Sequence, residues 1–494
     1  MIFYKSALTD RIFENLSEQE GDIITTIAGE SVWSTEFTQD IYIQAKALKN
    51  IGVQYGNRIV FLHRDSIFFV KSIIASFLCG ATVVLLDPEM GQEMLREKIR
   101  STGISHIFIE GRVYDFFRIS WFDFSLYWSE CIIVGLSLFW SNLKKFHSLE
   151  KETLLNDVEY KGLDDIHESI IAFTGGTTGN PKWVVHTISS LIASANKIDW
   201  LLKNPSIFYA DMPHFLLLGL LIGVKVIAWK PNISSKKFLK VLSKYQVDTY
   251  FSPPYKYNYF IENNIQLPKV LTNILLGSAP IYIGFLKKLI KITHANQKIT
   301  CVYGMTEILP IAFIDGRVKA GVEVSWDVLW EFIWGIDYIV IDDELLVSGE
   351  HQCKQYLGFP WEKYIHTWDL VEIIDDKLIM IWRKKDMIIR KEYNIYPSLY
   401  EPIISQIPGI SDCALIGIYD EKLNDEKIIL FIECDGLHWV MDKEKIFQML
   451  KTWKYSIDTY ALPDKIHFMK LPRIWRQNKI DKSALKKLLS NDAL

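Results

Sequence analysis

The sequence predicts an α/β protein: a large N-terminal domain with mixed, mostly parallel sheets and flanking helices, followed by a small C-terminal α+β domain. Strand-like and helix-like segments alternate between residues 58 and 307, and their apolar strands are typical of βαβ units. The chain has 494 residues, more than one hydrophobic core usually supports. The composition then changes at RKKDMIIRK (383–391), which carries six charges in nine residues.

The first βαβ unit spans residues 58 to 110. RIVFLH (58–63) predicts a strand, residues 66–79 predict an amphipathic helix, and ATVVLLDP (81–88) predicts a buried strand that ends in a turn. HIFIE (106–110) predicts the next strand. Together these segments indicate a parallel sheet.

The same alternation resumes with a predicted helix over 186–202. Strands are predicted at 223–229, 247–254, 270–280 and 298–307, and a helix is predicted at 234–246. Three strand-like stretches end in small or polar residues, namely TGGTTG, GSAP and YGMTE. Ligands of open α/β sheets bind beyond the carboxyl ends of strands, so three such loops on one edge would form a site.

The C-terminal hundred or so residues form a compact pattern of their own behind the charged stretch. Helices are predicted at 398–406 and 443–453, and strands near 413–418 and 427–433. This order is typical of a small α+β domain.

Composition excludes several classes of function. The net charge of −4 gives no reason to expect nucleic acid as a partner. The six cysteines are scattered and form no CxxC pair, which favours a reducing cytosol over a disulfide framework or a zinc site. The first fifteen residues hold no signal-peptide core, so we expect a cytoplasmic protein. The most apolar region, 116–140, is interrupted by charges and too short to span a bilayer. We interpret it as core with partly exposed aromatic residues, and peripheral membrane contact is the alternative.

The stretch TGGTTGNPK follows a predicted strand and suits a polyphosphate. Its glycines allow close backbone approach, consecutive N–H groups form an anion-binding nest, and the threonine hydroxyls and a lysine add donors and charge. It is not a Walker A loop, because GxxxxGK[ST] is absent. A flexible surface loop is the alternative, which nine specified positions disfavour. The candidate ligands are Thr174, Gly175, Gly176, Thr177, Thr178, Gly179 and Lys182.

This stretch resembles the phosphate loop of adenylate-forming enzymes, the superfamily of acyl-CoA synthetases, luciferases and peptide-synthetase adenylation domains. Further motifs of that family follow in order over about 300 residues, a far more specific signal than one motif. They are an adenine loop at Gly277, Ser278, Ala279 and Pro280, a stacking and phosphate segment at Tyr303, Gly304, Met305, Thr306 and Glu307, HTWDL at 366–370, a hinge motif at 383–388, and Asn478-Lys479-Ile480.

The resemblance implies a role for each motif residue. Lys182 and its loop would hold the β- and γ-phosphates of ATP, Thr306 and Glu307 would serve phosphate and Mg²⁺, and Lys479 would bridge the substrate carboxylate and the α-phosphate. Asp369 and Arg383 would hold the ribose. The C-terminal domain would be mobile, with domains at 1–382 and 386–494 and the hinge near Lys385.

The chain also departs from the family pattern. Glycines of the family are replaced at Trp183, Trp368, Trp382, Glu392 and Asn478, and Glu392 falls where a glycine lets the pantetheine arm pass. The substrate-pocket motif, with candidates His214, Phe215, Leu216 and Gly219, contains no acidic side chain, which favours a fatty or other apolar acid over an amino acid. Asp211 lies just before the motif, near the place where amino-acid-activating relatives have an aspartate that pairs with the substrate α-amine.

We therefore predict ATP- and Mg²⁺-dependent activation of an apolar carboxylic acid, followed by transfer to CoA or to a carrier-protein thiol. Two alternatives stay open. One is a β-lactone synthetase that acts on a β-hydroxy acid without CoA, as in a fatty-acid–CoA ligase-like subgroup that DPEMG (87–91) and EILP (307–310) also resemble, although the stretch 308–349 is shorter here. The other is an inactive nucleotide-binding homologue.

Overall fold

The computed structural model describes residues 1–19, 22–26, 31–62, 66–86, 98–110, 131–134, 159–174, 182–211, 213–228, 233–279, 281, 283–322, 327–329, 331–374, 377–383, 387–434, 442–452, 455–473 and 480–490. For Thr174 and Arg383 it describes the main chain only. The predicted features that lie outside the described residues include the phosphate loop 175–181, Pro280, the hinge Lys385, Asn478, Lys479 and DPEMG (87–91).

The largest sheet has nine strands. They are β2 (Asp22–Thr26), β3 (Ser31–Trp33), β11 (Ile207–Ala210), β12 (Lys225–Ala228), β13 (Thr249–Ser252), β14 (Asn273–Leu276), β15 (Lys298–Met305), β16 (Ile308–Asp315) and β18 (Glu331–Phe332). Their spatial order is β18–β16–β15–β14–β13–β11–β12–β2–β3. The six strands from β15 to β2 are parallel, and antiparallel strands flank them.

A seven-stranded sheet carries the strands on either side of the predicted phosphate loop. It contains β4 (Arg58–Leu62), β5 (Thr82–Val84), β6 (His106–Glu110), β7 (Cys131–Val134), β9 (Glu168–Thr174), β10 (Lys182–Thr187) and β21 (Gln355–Tyr356). The order is β21–β10–β9–β5–β4–β6–β7, and β10 runs antiparallel to both neighbours. The three predicted ligand loops therefore leave two sheets and not one, because β9 belongs here while β14 and β15 belong to the nine-stranded sheet.

A third, antiparallel sheet carries the HTWDL motif. It contains β17 (Asp327–Leu329), β19 (Asp337–Ile341), β20 (Glu344–Ser348), β22 (Ile365–Ile374) and β23 (Lys377–Arg383), in the order β17–β23–β22–β20–β19. A separate parallel pair joins β1 (Ile2–Lys5) to β8 (Glu159–Gly162).

Helices cover the sheets of the first 380 residues. They are α1 (Ala7–Glu18), α2 (Ser34–Asn50), α3 (Ser66–Leu78), α4 (Ile188–Leu202), α5 (Pro213–Ile222), α6 (Ser235–Lys244), α7 (Asn258–Glu262), α8 (Ile283–Lys291) and α9 (Gly316–Ala320). The helix predicted from residue 186 begins at Ile188, because Thr187 caps it and shares a capping box with Ser190. No helix within the described ranges is long and apolar enough to cross a membrane.

The part from Ile388 onward has sheets and hydrophobic clusters of its own. It contains β24 (Ile388–Arg390), β25 (Tyr393–Ile395), β26 (Ile410–Asp420), β27 (Asp425–Cys434), β28 (Lys465–Phe468), α10 (Pro397–Ile404), α11 (Lys443–Lys451) and α12 (Lys482–Ser490). The predicted α/β class with a small α+β part is confirmed. The exact domain limits stay a prediction.

Candidate active site

The ribose motif and the aromatic motif contact each other. Asp369 in β22 is 2% exposed, and its Oδ2 accepts a hydrogen bond of 2.6 Å from Tyr303 Oη at the end of β15. Arg383 is the main-chain partner of Asp369 across the β22–β23 pair. Tyr303 thus contacts a residue 66 positions later in the sequence, and the main chain of Arg383 lies beside that residue.

Trp368 has a backbone conformation that favours glycine. Its φ of 61° lies in the left-handed region, which costs a bulky residue about 1–2 kcal/mol. Two contacts offset that cost: the Trp368 N–H donates to Glu344 Oε1 at 3.3 Å, and the indole stacks on His366 with ring centres 5.1 Å apart. The substitution is therefore compatible with the local geometry that presents Asp369.

The predicted adenine loop emerges beside the Tyr303 segment, because β14 and β15 are neighbouring parallel strands. A side chain at Gly277 would place its Cβ 2.7 Å from the ring of Phe251, so only glycine fits there. Ser278 follows with a φ of 64°. At Gly304 a Cβ would lie 2.5 Å from Leu309 Cδ1. Close packing, and not ligand contact alone, thus explains both glycines.

Lys182 and Glu307 approach each other through Tyr356. Glu307 is 5% exposed and its Oε1 accepts a hydrogen bond of 3.0 Å from Tyr356 Oη. The ammonium of Lys182 lies 4.4 Å from the centre of the same ring. Burial, followed by the charge of Glu307, raises the pKa of Tyr356, so its hydroxyl stays protonated as the donor. The sequence interpretation did not include Tyr356.

His186 forms a hydrogen bond with the main chain of the segment Tyr303–Glu307. Successive residues of a strand face opposite sides, so Lys182 and His186 of β10 share one face. His186 Nε2 donates to the Thr306 carbonyl oxygen at 2.8 Å. Desolvation by burial lowers the imidazole pKa, which keeps the ring neutral with its proton on Nε2. The sequence predicts only a scaffold or surface role for His186, and its spacing of four from Lys182 was a usable signal that the two side chains share a face of the strand.

Trp183 points to the other side of β10 and lies in the core. It is 4% exposed, its Nε1 donates to Ser101 Oγ at 2.8 Å, and its ring meets Phe173 edge-on at 5.3 Å. This departure from the family pattern is therefore absorbed by packing on the far face of the strand.

The four residues predicted to line the acid pocket differ in their burial and contacts. Leu216 is fully buried, and a Cβ on Gly219 would lie 2.5 Å from Val226 Cγ2, so these two residues pack α5 against β12. Phe215 is 8% exposed and contacts Phe251, with ring centres 5.2 Å apart. His214 has much accessible surface, yet surrounding protein desolvates it and lowers its pKa to about 4. Both observations fit a residue on the wall of a cleft.

Asp211 bonds to side chains of the protein itself. It is 5% exposed, and its Oδ2 accepts from Tyr250 Oη at 2.9 Å and pairs with Lys256 Nζ at 3.0 Å. Two donors therefore already satisfy this oxygen.

The described residues on either side of Lys479, namely Arg473 and Ile480, are held by main-chain and side-chain contacts. Arg473 and Ile480 form an antiparallel bridge, and Arg473 Nη2 contacts Asp412 Oδ2 at 2.9 Å and Glu433 Oε2 at 3.1 Å. The flanks of the predicted catalytic lysine are therefore tied to β26 and β27.

Polar contacts join the C-terminal part to residues 254–258. Glu392 is half-buried, and its Oε2 accepts a hydrogen bond of 2.9 Å from Tyr255 Oη. Asn424 Nδ2 donates to Asn258 Oδ1 at 2.8 Å. Glu392 thus occupies its position with a partner from the other part of the chain.

A cavity of about 460 Å³ lies elsewhere, against α1 and α2. Its lining residues include Asp10, Phe13 and Tyr42 and share no member with the site above. The proposed function therefore rests on the cluster of motif residues and not on this cavity.

Acidification should destabilise the protein through buried His351. This side chain is fully buried, its Nε2 donates to the Pro310 carbonyl oxygen at 2.6 Å, and burial lowers its pKa to about 4. A histidine whose pKa is lower in the folded than in the unfolded protein makes its full contribution to the free energy of unfolding above the pKa of the unfolded state, about 6.5. That contribution is lost as the pH falls towards the pKa of the folded state. We expect a loss of about 2 kcal/mol by about pH 5.

Urea unfolding of wild type and His351→Gln over this pH range checks the expectation. The other histidines are common to both proteins, so the difference in their pH dependence reports His351 alone. Equal pH dependence in the two proteins would contradict it.

Comparison with known proteins identifies the family. A family model described as AMP-binding enzyme matches residues 18–350. The chain is similar to 4-coumarate:CoA ligase 1 of Petunia hybrida, with 22% identity over 445 residues, 82% of this chain and 80% of that protein. It is also similar to 2-succinylbenzoate–CoA ligase of Staphylococcus aureus, with 23% identity over 463 residues, 84% of this chain and 88% of that protein.

Solved structures share the fold over nearly the whole chain. The amide bond synthetase McbA of Marinactinospora thermotolerans superposes with a TM-score of 0.82 at 17% identity, covering 97% of this chain and 99% of McbA. A double mutant of o-succinylbenzoate CoA synthetase (MenE) of Bacillus subtilis, bound with its product analogue OSB-NCoA, gives 0.80 at 18% identity, covering 97% and 98%. MenE with ATP and magnesium gives 0.65 at 17% identity, covering 96% and 99%. Since the family model spans well over half of the sequence, the chain belongs to the AMP-binding enzymes, a family of adenylate-forming ligases.

Proposed function

We propose that this enzyme uses ATP and Mg²⁺ to convert an apolar carboxylic acid into an acyl adenylate, and then transfers the acyl group to a thiol. One observation carries the proposal. Tyr303 bonds Asp369, while Glu307, four residues later, bonds the tyrosine that faces Lys182. These contacts support a nucleotide site in which Asp369 would accept from the ribose and Lys182 would bind phosphate, on either side of the short segment from Tyr303 to Glu307.

The described residues fit Mg²⁺ as a nucleotide-bound ion. They contain no group of three or more His, Cys, Asp or Glu side chains placed to hold a metal. Mg²⁺ usually takes one or two protein carboxylates together with phosphate oxygens and water, so Glu307 suffices. The ion would screen charge between ATP and the substrate carboxylate. Thr174 to Lys182 would bind the phosphates, Asp369 and Arg383 the ribose, and Lys479 the α-phosphate.

Aromatic packing and the paired Asp211 support an apolar acid. Phe215 and Phe251 provide an apolar surface beside His214, and the nearby Asp211 already accepts from Tyr250 and pairs with Lys256. A fatty acid is our first candidate. The names of the relatives add aryl acids such as 4-coumarate and 2-succinylbenzoate to the candidates.

Acid-dependent exchange of labelled pyrophosphate into ATP tests the proposal. We expect exchange with at least one fatty or aryl acid, and consumption of CoA or of a carrier-protein thiol when that acceptor is added. Nucleotide binding without exchange, and without hydroxylamine-trapped adenylate across the panel, would overturn the proposal and favour the inactive homologue.

A different acceptor is the second candidate, which Glu392 favours. Glu392 stands where the family resemblance places a glycine that leaves room for pantetheine, and its carboxylate accepts a hydrogen bond from Tyr255 Oη. A β-lactone synthetase would convert a β-hydroxy acid into a lactone in reactions without CoA, and mass spectrometry would detect that product. A gain of CoA turnover in Glu392→Gly would identify Glu392 as the obstacle.

A further inference from the structure

Tyr356 contacts both charged residues that are assigned to the triphosphate. Its Oη donates to Glu307 Oε1 at 3.0 Å, and Lys182 Nζ lies 4.4 Å from its ring centre. The hydroxyl satisfies one lone pair of the carboxylate, and the ring face attracts the ammonium through its quadrupole. Tyr356 therefore contacts the Glu307 carboxylate through its hydroxyl and the Lys182 ammonium through the face of its ring.

Main-chain pairing fixes Tyr356 on both sides. Its β21 strand pairs with β10, opposite Val184, and the Leu357 N–H donates to the Trp183 carbonyl at 2.8 Å. The neighbouring Cys353 N–H donates to the Glu307 carbonyl at 2.7 Å. Backbone hydrogen bonds thus hold the main chain around Tyr356 against β10, which carries Lys182, and against Glu307.

We propose that Tyr356 is a positioning residue, which orients the Glu307 carboxylate towards the metal ion and keeps it from pairing directly with Lys182. This inference rests on the proposed function. A direct Lys182–Glu307 ion pair would have to break when phosphate and metal bind, and its attraction would oppose binding. A neutral phenol between the charges gives each of them a partner and leaves both charges for the ligand.

Tyr356→Phe tests the inference, because it removes the hydroxyl and keeps the ring. Mn²⁺ serves as the probe, titrated by electron paramagnetic resonance with ATP and without any acid. We expect Mn²⁺ binding about tenfold weaker than in wild type, the lower range for partners of a metal ligand. ATP binding in the presence of EDTA should be unchanged, since the ring still faces Lys182. Tyr356→Leu removes ring and hydroxyl, and should weaken both kinds of binding.

Tyr364→Phe is the matched control. Tyr364 Oη also donates to a carboxylate, Asp337 Oδ2 at 2.6 Å, but Asp337 is exposed in β19 of the third sheet and Tyr364, which precedes β22, is half-buried. We expect no change in either titration. A Glu307→Gln background provides a second control: if Tyr356 acts through Glu307, adding Tyr356→Phe should cause no further loss of Mn²⁺ binding.

Each outcome decides between the proposals. Wild-type Mn²⁺ binding by Tyr356→Phe, or an equal loss of metal-dependent and metal-free ATP binding, would overturn the positioning role. Wild-type protein that binds ATP with Mn²⁺ but exchanges pyrophosphate with no acid would overturn the proposed function alone. Absence of ATP binding by the wild type would overturn both.

Discussion

Lys479→Ala should lower acid-dependent pyrophosphate exchange by about 10²–10³-fold, the usual cost of removing one donor that stabilises developing charge. The resemblance places its ammonium between the substrate carboxylate and the α-phosphate, where negative charge accumulates as pyrophosphate leaves. Its effect should appear in the rate and not in the affinity for ATP, because the other phosphate-binding groups remain. Exchange kinetics together with ATP titration separate the two quantities.

Lys470→Ala provides the control for a general loss of positive charge. Lys470 is an exposed lysine, three residues before the anchored Arg473. We expect this variant to exchange pyrophosphate at the wild-type rate. Wild-type exchange by Lys479→Ala would show that the catalytic cation lies elsewhere in the chain.

Asp369→Ala should raise the KM for ATP by about 10²-fold, because a ribose hydroxyl bonded to a charged acceptor contributes about 1.5–3 kcal/mol and two hydroxyls are within its capacity. The variant also removes the acceptor of Tyr303 Oη. Tyr303→Phe isolates that second loss, and we expect it to change the KM far less. Steady-state exchange over a range of ATP concentrations measures both.

The matched control is Asp342→Asn in the turn between β19 and β20 of the same sheet. Asp342 is exposed and has a φ of 49°, a left-handed conformation that asparagine tolerates. Its KM for ATP should equal that of wild type. If Asp369→Ala kept the wild-type KM while remaining folded by its thermal midpoint, the ribose role of Asp369 would be wrong.

Local pattern was sufficient for the elements that the sequence predicted in the first βαβ unit. Residues 58–63, 66–79 and 106–110 predicted two strands and one helix, and the structure has β4, α3 and β6 there. Apolar periodicity reports which face of a segment is buried, and that information is local. The ordered motifs likewise indicated Tyr303 and Asp369, which the structure brings within a hydrogen bond.

Contacts between distant strands were beyond local pattern. Tyr356 and His186 had no motif to mark them, yet both contact the Thr306–Glu307 segment. Their importance arises from the pairing of β21 with β10 and from the approach of two sheets. The single sheet edge expected for all three loops was wrong for the same reason.

Residue types in order along the chain were enough to specify the chemistry: a glycine- and threonine-rich loop with a lysine, a carboxylate for a hard cation, and a second carboxylate for hydroxyl groups. Folding decided which of these groups share a space and which neighbours hold them. The physical reason is that side chains alternate across a strand, so Lys182 and Trp183 have opposite surroundings that only the pairing of remote strands defines.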